Sequence, residues 1–336
     1  MSLYIKHIPA IHLCCLPGLT WAPLNALSLR YTVAAFHHPL STGPDHMMNL
    51  ITVPTSTGGA VGGWRHPDAW RDTVMNLDHM ISCAKTAERG KFDCVFFADG
   101  NGVRDISNPV LFEALRDRAV SFEPVTLLAA LAQHTQDIGL VATVTTTYEE
   151  PYTVARKFGS LDHLSKGRAG WNIVTTARPG DARNFGRDKH MPREERYPRA
   201  DEFLDVVKGL WDSWASDAFV QNRETGQYLD STRVHTLNHE GRYLKVKGPL
   251  NVSRLPQGYP VMFSAGQSEL GREQAAKHAD CLFAITPSKE DGIALMEDVK
   301  GRLSKYGRSP EAFKIIPGSG VFVGRTAEEA DEYHEC

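Results

Sequence analysis

Short apolar runs alternate along the chain with longer segments of helical periodicity. The apolar runs are rich in β-branched and aromatic residues, as expected for strands covered on both faces. They are Asn49–Pro54, Asp93–Ala98, Ile138–Thr145, Ala169–Thr175, Val261–Ser264, Cys281–Ile285 and Lys314–Val323. This alternation is typical of a parallel sheet with crossover helices and predicts an α/β fold.

Six segments between these runs have the spacing of amphipathic helices, and several begin with a proline in the first turn. They are Leu77–Glu88, Pro124–Gln133, Pro151–Leu164, Glu195–Trp214, Glu269–His278 and Lys289–Tyr306. The longest interruption, Thr176–Pro260, follows the fourth strand and contains a hairpin pattern at Val234–Leu250. We expect a TIM (β/α)8-type barrel with this insertion on the C-terminal face, where barrel enzymes do their chemistry.

The two ends of the sequence depart from the alternation. Residues 1–46 lack clear periodicity apart from a short strand-like run at Tyr31–Phe36, and we interpret them as an atypical extension before a barrel domain of residues 47–336. After the seventh strand only the helical start Ala327–His334 follows, so the barrel is expected to be truncated before strand 8. Unpaired edge strands favour association, which predicts a homo-oligomer, a partner chain or poor solubility.

Composition narrows the classes of function. The chain has 336 residues, 42% of them hydrophobic, and a formal net charge of −3. It can therefore build a large core, and it lacks the basic surplus that nucleic acid or an anionic membrane would require. The six cysteines include no Cys-x-x-Cys pair, which favours reduced thiols in the cytoplasm. The apolar stretch Ile8–Ala22 is short for a membrane span.

Polar side chains lie at the ends of three predicted strands, the position of active-site residues in a barrel. Asp99 follows an apolar strand, Thr143 lies near the end of the third run, and Asn172 interrupts the fourth. Each has an ordinary alternative. Asp99 could cap a helix, and Asn172 could hydrogen-bond the backbone. Thr143 could have no role beyond the strand, because threonine is common in strands.

Two further segments have groups suited to binding an anion. Arg193–Phe203 opens a helix with three arginines and Tyr197, and Phe263–Arg272 passes from a strand through a small-residue turn, with Ser268, into a helix. A salt-bridged helix start and a plain βα loop are the alternatives. Neither segment matches a P-loop or a dinucleotide fingerprint. The histidines of the chain do not form a metal-ligand pattern, so no metal is predicted.

Six motifs occur in an order that resembles a known family. They are Trp64–Pro67, Thr86–Asp93, Trp171–Thr176, Ala182–Gly186, Arg196–Phe203 and Gly248–Leu250. Together they resemble the nitrilotriacetate and dibenzothiophene-sulfone monooxygenases, which belong to the bacterial-luciferase-like flavin enzymes. The likeness extends from about Met48 to Ala330.

The resemblance implies a TIM barrel that receives reduced FMN from a separate NAD(P)H:flavin reductase. It implies that O2 adds at the flavin C4a position, giving a hydroperoxide, and that one oxygen enters a small organic substrate. Aminopolycarboxylates, sulfones, sulfonates and alkanes are the substrate classes of the family. The alternative is a catalytically impaired flavin-binding remnant of the family, which the missing eighth strand favours.

The resemblance also implies cofactor-binding positions, although it assigns no catalytic residue. By motif position, Asp99 and Thr143 lie near the flavin ring and ribityl chain, with Asn172 as a neighbour. Tyr197, Arg193 and Ser268 lie toward the phosphate, where the family often has histidine in place of Arg193, and Phe283 lines the ring pocket.

Overall fold

The computed structural model describes residues 4–9, 49–54, 63–65, 75–103, 120–176 and 178–335. Its strands are β1 (Tyr4–Pro9), β2 (Ile51–Thr52), β3 (Cys94–Phe97), β4 (Gly139–Thr145), β5 (Ala169–Val174), β6 (His239–Glu240), β7 (Lys245–Val246), β8 (Val261–Ser264), β9 (Cys281–Ala284), β10 (Lys314–Pro317) and β11 (Ser319–Gly324). Seven of them form one parallel sheet in the order β2-β3-β4-β5-β8-β9-β10. The predicted alternation is confirmed as a curled parallel sheet of the TIM-barrel type.

Helices connect most of the parallel strands. They are α1 (Leu77–Arg89), α2 (Pro124–Leu131), α3 (Pro151–Ser165), α4 (Arg193–Trp211), α5 (Glu269–His278), α6 (Lys289–Leu303) and α7 (Ala327–Glu335). Side-chain caps fix several of their starts. Asn76 accepts the amide of His79 at α1, and Ser288 accepts the amide of Asp291 at α6. The predicted hairpin is also confirmed, as the antiparallel pair β6 and β7.

Side chains alternate along each strand between two apolar layers. Val95 and Phe97 of β3 join the large core between sheet and helices, whereas Cys94 and Phe96 join the barrel interior. Trp171 of β5 is buried in the outer core, where it stacks on Phe158 with ring centroids 5.2 Å apart. Because both faces are covered, the strands read as continuous apolar runs in the sequence.

Thr143 and Asn172 follow the same alternation and therefore face the barrel interior. Their neighbours along the strands, Ala142, Val144, Trp171 and Ile173, belong to the outer core. The two residues are paired in the register of β4 and β5. Two polar side chains on neighbouring strands thus lie side by side in the barrel interior.

The edges of the sheet approach each other at the amino ends of the strands. The Lys314 ammonium, at the start of β10, donates to Asn49 Oδ1 at 2.6 Å, just before β2. Asn49 in turn donates to Asp93 Oδ1 at 3.0 Å. Within the described ranges no eighth strand lies between β2 and β10. The curl of the sheet is therefore held at this point by side chains.

The prediction of one strand over Lys314–Val323 is wrong. The strand is interrupted at Gly318. After it, β11 lies outside the parallel sheet and pairs with β1 in an antiparallel ladder. Pro317 has no amide to donate, and a Cβ at Gly318 would lie 3.1 Å from Phe283 Cζ. β1 itself was not predicted, because its partner is more than 300 residues away and gives no local signal. Tyr31–Phe36 lies outside the described residues.

Several predicted boundaries differ from those observed. β2 has two residues instead of the six of Asn49–Pro54, and α4 covers Arg193–Trp211 instead of Glu195–Trp214. Most other ends agree within two residues. No helix in the described part of the chain is long and apolar enough to cross a bilayer. The division into residues 1–46 and 47–336 stays a prediction.

Arg168 holds together the turns at the amino ends of β4 and β5. The residue is 8% exposed, and its guanidinium donates to the carbonyls of Ala132, Thr135, Ser165 and Ile138 and to the Thr135 hydroxyl. Burial lowers the pKa of Arg168, and the nearby Glu88 and Asp137 oppose this. One side chain thereby satisfies carbonyls from the ends of α2 and α3 and from the loop before β4.

Candidate active site

A cavity of about 340 Å³ lies at the carboxyl ends of β3, β4, β5 and β8. This is the end of a barrel at which active sites are built. Its polar lining is Asp99, Asn101, Glu123, Thr143, Thr145, Glu149, Thr175, Thr176, Arg178, Asp181, Tyr197, Ser264 and Gln274. These residues lie between Asp99 and Gln274 in the sequence. The carboxyl ends of the strands bring their side chains together at this cavity.

Three of the seven predicted site residues, Asp99, Thr143 and Tyr197, line this cavity. Asn172 lies beside Thr143, and its Nδ2 donates to Thr143 Oγ1 at 2.9 Å. The Oδ1 atom of Asn172 is buried and has no hydrogen-bond partner among the described residues. A hydrogen bond from Asn172 to the backbone was one of the expectations. The observed bond is to a neighbouring side chain, and an acceptor is left over.

Ser268 and Tyr197 meet at the start of α5. The Tyr197 hydroxyl is 3.5 Å from Ser268 Oγ, and Ser268 caps the helix by accepting the amide of Gly271 at 3.2 Å. Gly266 packs directly on Gly271, where a Cβ would lie 2.7 Å from the Gly266 carbonyl carbon and oxygen. This close packing brings the turn and the helix amino terminus against the cavity.

Arg193 and Phe283 are not brought into the lining. The Arg193 guanidinium is exposed and lies 5.8 Å from the centre of the Tyr197 ring. Phe283 lies in the barrel interior, stacked on Phe96 with centroids 6.0 Å apart. Their assignment to the cofactor stays a prediction from the resemblance.

Gln274 was missed by the sequence interpretation. It lines the cavity from α5 and is 7% exposed, and its Nε2 has no hydrogen-bond partner in the part of the chain that the structure describes. A glutamine at a buried helical position is a weak signal, since most such residues bond the backbone. Its burial against the cavity depends on how α5 packs beneath β8, which the sequence does not reveal.

Thr176 was quoted only as part of a motif, yet it has the most constrained backbone of the lining. Its φ of 50° lies in the left-handed region, and its hydroxyl donates to Thr145 Oγ1 at 2.6 Å. The Thr176 carbonyl faces His190 Nε2 at 3.0 Å and also accepts from Arg196. These two contacts hold the strained residue in place.

His190 is held by a second contact on its other ring nitrogen. Nδ1 lies 2.5 Å from the Tyr148 hydroxyl, while Nε2 contacts both the Thr176 carbonyl at 3.0 Å and Arg196 Nη1 at 2.7 Å. Burial lowers the pKa of His190, and Arg196 lowers it further, while the hydrogen bond to Thr176 raises it. Contacts on both ring nitrogens therefore fix the imidazole behind the cavity.

Asp99 is the titratable group of the cavity with a marked shift. Burial raises its pKa to about 6, the Gly100 amide lowers it, and the neighbouring carboxylates of Glu123 and Asp181 raise it. Arg178 partly offsets these carboxylates. A carboxyl group that changes charge near neutral pH can hold or release a proton inside the cavity.

An α/β barrel with a polar cavity at the carboxyl ends of its strands is an enzyme architecture that serves many reactions. The chain belongs to the luciferase-like monooxygenase family, whose family model matches residues 52–335. This confirms the resemblance carried by the motifs.

Two curated relatives are similar over most of the chain. The N-acetyl-S-(2-succino)cysteine monooxygenase of Bacillus subtilis (strain 168) is 48% identical over 86% of this chain and 64% of its own length. Nitrilotriacetate monooxygenase component A of Aminobacter aminovorans is 46% identical over 87% of this chain and 66% of its own length. The chain thus spans just under two thirds of these relatives.

Solved structures agree with the fold. The long-chain alkane monooxygenase LadA has a TM-score of 0.76 and 39% identity, covering 81% of this chain and 63% of that chain. A riboflavin lyase, solved with modified FMN and riboflavin, has a TM-score of 0.78 and 33% identity, covering 85% of this chain and 65% of that chain. The relatives act on different small molecules, so the family does not by itself identify a substrate.

Proposed function

We propose that the chain binds FMN in the cavity and is the oxygenating component of a two-component monooxygenase, which transfers one oxygen atom from O2 to a small organic substrate. The observation that carries this proposal is that Tyr197, which lines the cavity, has its hydroxyl 3.5 Å from Ser268 Oγ, at the cap of the α5 amino terminus. Hydroxyl groups and helix amides are the partners that a phosphomonoester prefers.

The unpartnered atoms of the site fit a flavin mononucleotide. Gln274 Nε2 is a buried donor close to the phosphate side, and Asn172 Oδ1 is a buried acceptor facing the barrel interior. Buried polar groups normally have a hydrogen-bond partner, so we expect a ligand to provide the acceptor that Gln274 lacks and the donor that Asn172 lacks. Tyr197, Ser268 and Gln274 would hold the phosphate side, and Asp99, Thr143 and Asn172 would hold the ribityl chain and ring.

Reduced FMN supplies, when bound, the two electrons with which O2 is activated. The residues of this chain position the ring and limit the access of water, which would otherwise divert the reaction to free hydrogen peroxide. Asp99, with its raised pKa, can hold a proton at its carboxyl oxygen near neutral pH. Thr176, fixed by His190 and Arg196, presents its hydroxyl beside Thr145 in the same lining.

The name of one relative supports a separate electron-donating partner. Nitrilotriacetate monooxygenase of Aminobacter aminovorans is named as a component A, which implies a second component. The sequence also has no dinucleotide fingerprint. We therefore propose that a separate flavin reductase oxidises NAD(P)H.

We expect the purified chain with FMN to leave NADH unconsumed until a flavin reductase is added. With the reductase, NADH is consumed and O2 is taken up, either into a product or as peroxide. Absorbance at 340 nm and an oxygen electrode follow the two reactions. If NADH were oxidised without the reductase, at the rate of oxygen uptake, the proposal that a separate reductase oxidises NADH would be contradicted. Oxygen uptake that yields only peroxide with every substrate class of the family would favour the flavin-binding remnant.

Tyr197→Phe and Ser268→Ala should each weaken FMN binding by about 1–3 kcal/mol, because each removes a hydroxyl from a buried phosphate. Quenching of flavin fluorescence measures the affinity. Tyr228→Phe at an exposed tyrosine and Ser288→Ala at the cap of α6 are matched controls. Ser288→Ala removes an equivalent helix cap away from the cavity, so it separates lost capping from lost phosphate contact. Unchanged affinity in both test variants would move the phosphate elsewhere.

A further inference from the structure

Asp181 is a buried carboxylate whose charge the protein leaves incompletely satisfied. It lies in the short 3-10 segment Pro179–Phe185, lines the cavity, and is 4% exposed. Its Oδ2 has no hydrogen-bond partner within the described ranges of the chain. A buried carboxylate oxygen without a donor is unfavourable, so a donor from outside the protein chain is expected to complete it.

The position of Asp181 is fixed from two sides. Asn184 Nδ2 donates to the Asn101 carbonyl at 2.8 Å, and Arg178 Nη1 donates to the Gly102 carbonyl at 3.2 Å. These contacts fasten the 3-10 segment to the loop after β3. Gly102 packs so closely that a Cβ there would lie 2.6 Å from Asp181 Oδ1. The carboxylate is therefore held at a defined place in the lining.

The surroundings of Asp181 favour a cation over a neutral donor. Among the described lining residues, four are carboxylates, namely Asp99, Glu123, Glu149 and Asp181, and one, Arg178, is a cation. Glu149 is paired with Lys157 at 3.2 Å, and Glu123 accepts the first amides of α2. Among these four carboxylates, Asp181 is the one with a buried oxygen that lacks a donor in the described part of the chain. Arg187 and Arg196 also act on the neighbouring Tyr148 and His190, but carboxylates outnumber cations in the lining itself, which favours a positively charged ligand.

The polar groups are therefore divided between two ends of the cavity. Donors gather at the start of α5, where Tyr197, Ser268 and Gln274 suit an anion. Asp99, in the loop after β3, and Asp181, in the segment after β5, contribute carboxylates where these two segments are hydrogen-bonded to each other. FMN phosphate and a cationic group would therefore be bound by different residues of the site.

We propose that Asp181 is a specificity-determining residue that binds a protonated amine, or another cationic N–H group, of the substrate. This rests on the proposed function in so far as the substrate shares the cavity with FMN. It defines a substrate class, organic ammonium compounds, by the chemistry that would recognise them. A substrate that presents only carboxylate groups to this end would be repelled by the carboxylates around it.

The test compares three small probes by calorimetry at pH 7, with the FMN-loaded protein and with the chain alone. Benzylamine carries a charge and N–H donors, benzyltrimethylammonium carries a charge without donors, and benzyl alcohol is neutral. We expect benzylamine to bind the wild type at least about tenfold more tightly than benzyl alcohol, with benzyltrimethylammonium between them. FMN affinity is measured separately by fluorescence, so a failure of FMN binding is distinguished from a failure of amine binding.

Asp181→Asn keeps the shape of the side chain and removes the charge. We expect the preference for benzylamine over benzyl alcohol to fall to about threefold or less, while FMN affinity is unchanged. Asp188→Asn, at an exposed aspartate seven residues further along the chain, is the control and should keep the full preference. Gly102→Ala retains every charge but displaces the Asp181 carboxylate, and it should reduce the preference at least threefold even if Asp181→Asn fails to fold.

Three outcomes would overturn the assignment of Asp181. The first is that benzylamine binds the wild type no better than benzyl alcohol, or does not bind. The second is that Asp181→Asn keeps the preference of the wild type. The third is that Asp188→Asn loses the preference as fully as Asp181→Asn, which would indicate a general charge effect.

Discussion

Gly271→Ala is expected to abolish most FMN binding, with a loss of about 100-fold in affinity. The new Cβ would lie 2.7 Å from the carbonyl carbon and oxygen of Gly266, and backbone atoms cannot move aside as a flexible side chain can. The turn and the first amides of α5 must therefore separate, and displacements near 1 Å are enough to cost roughly 100-fold in a positioned site. The same overpacking should lower the free energy of unfolding by about 2–3 kcal/mol.

Gly301→Ala is the matched control for this substitution. Gly301 also lies in a helix, α6, but a Cβ there meets nothing within 4 Å. Alanine is a better helix former, so this variant should be more stable by about 0.5–1 kcal/mol and should bind FMN as the wild type does. Urea unfolding and flavin fluorescence measure the two effects. If Gly271→Ala bound FMN normally, the close packing of Gly266 on Gly271 would have no role in the site.

Arg168→Met should lower the free energy of unfolding by about 3–5 kcal/mol. Methionine fills much of the same volume, so the main loss is the set of hydrogen bonds to buried carbonyls at the ends of α2 and α3 and before β4. Unsatisfied buried carbonyls are among the few causes of effects of this size. Because Arg168 lies at the amino ends of the strands, FMN affinity of the folded fraction should change little.

Arg156→Met is the control for Arg168→Met. Arg156 is an exposed residue of α3, so the same exchange removes a surface charge without exposing carbonyl groups. Surface substitutions of this kind are usually within about 0.5 kcal/mol of the wild type. Denaturant unfolding monitored by circular dichroism compares the two variants. Equal stabilities for Arg168→Met and Arg156→Met would show that the buried bonds are replaced by water at little cost.

The local parts of the fold could be predicted from the sequence, because their signals are local. Strand β8 and helix α5 have the predicted limits to the residue, since Pro260 precedes the one and Ser268 caps the other. The break at Gly318 was missed, because it depends on the ring of Phe283 from the neighbouring strand. Strand β1 was missed for the same reason, since only β11 makes it a strand.

In the candidate site, too, the residues with local sequence signals were predicted and one that depends on distant contacts was not. Asp99, Thr143 and Tyr197 were found because strand ends and helix starts can be read in the sequence, and they do line the cavity. Their contacts with a cofactor stay predictions. Asp181 was missed, because Pro179-Gly180-Asp181 has the pattern of an ordinary exposed turn and its burial depends on Gly102. Chemistry that arises from two loops packing together has no signature in either loop.

The hydrogen bond between Asn49 and Lys314 has a consequence for synthesis on the ribosome. The two residues are 265 positions apart, and the chain grows from its amino end at about 5–20 residues per second. Roughly 13–53 s therefore pass between the appearance of Asn49 and that of Lys314. The contact between the two edges of the sheet can therefore form only after the first six strands of the parallel sheet have been synthesised, and slower translation lengthens the time for which Asn49 lacks this partner.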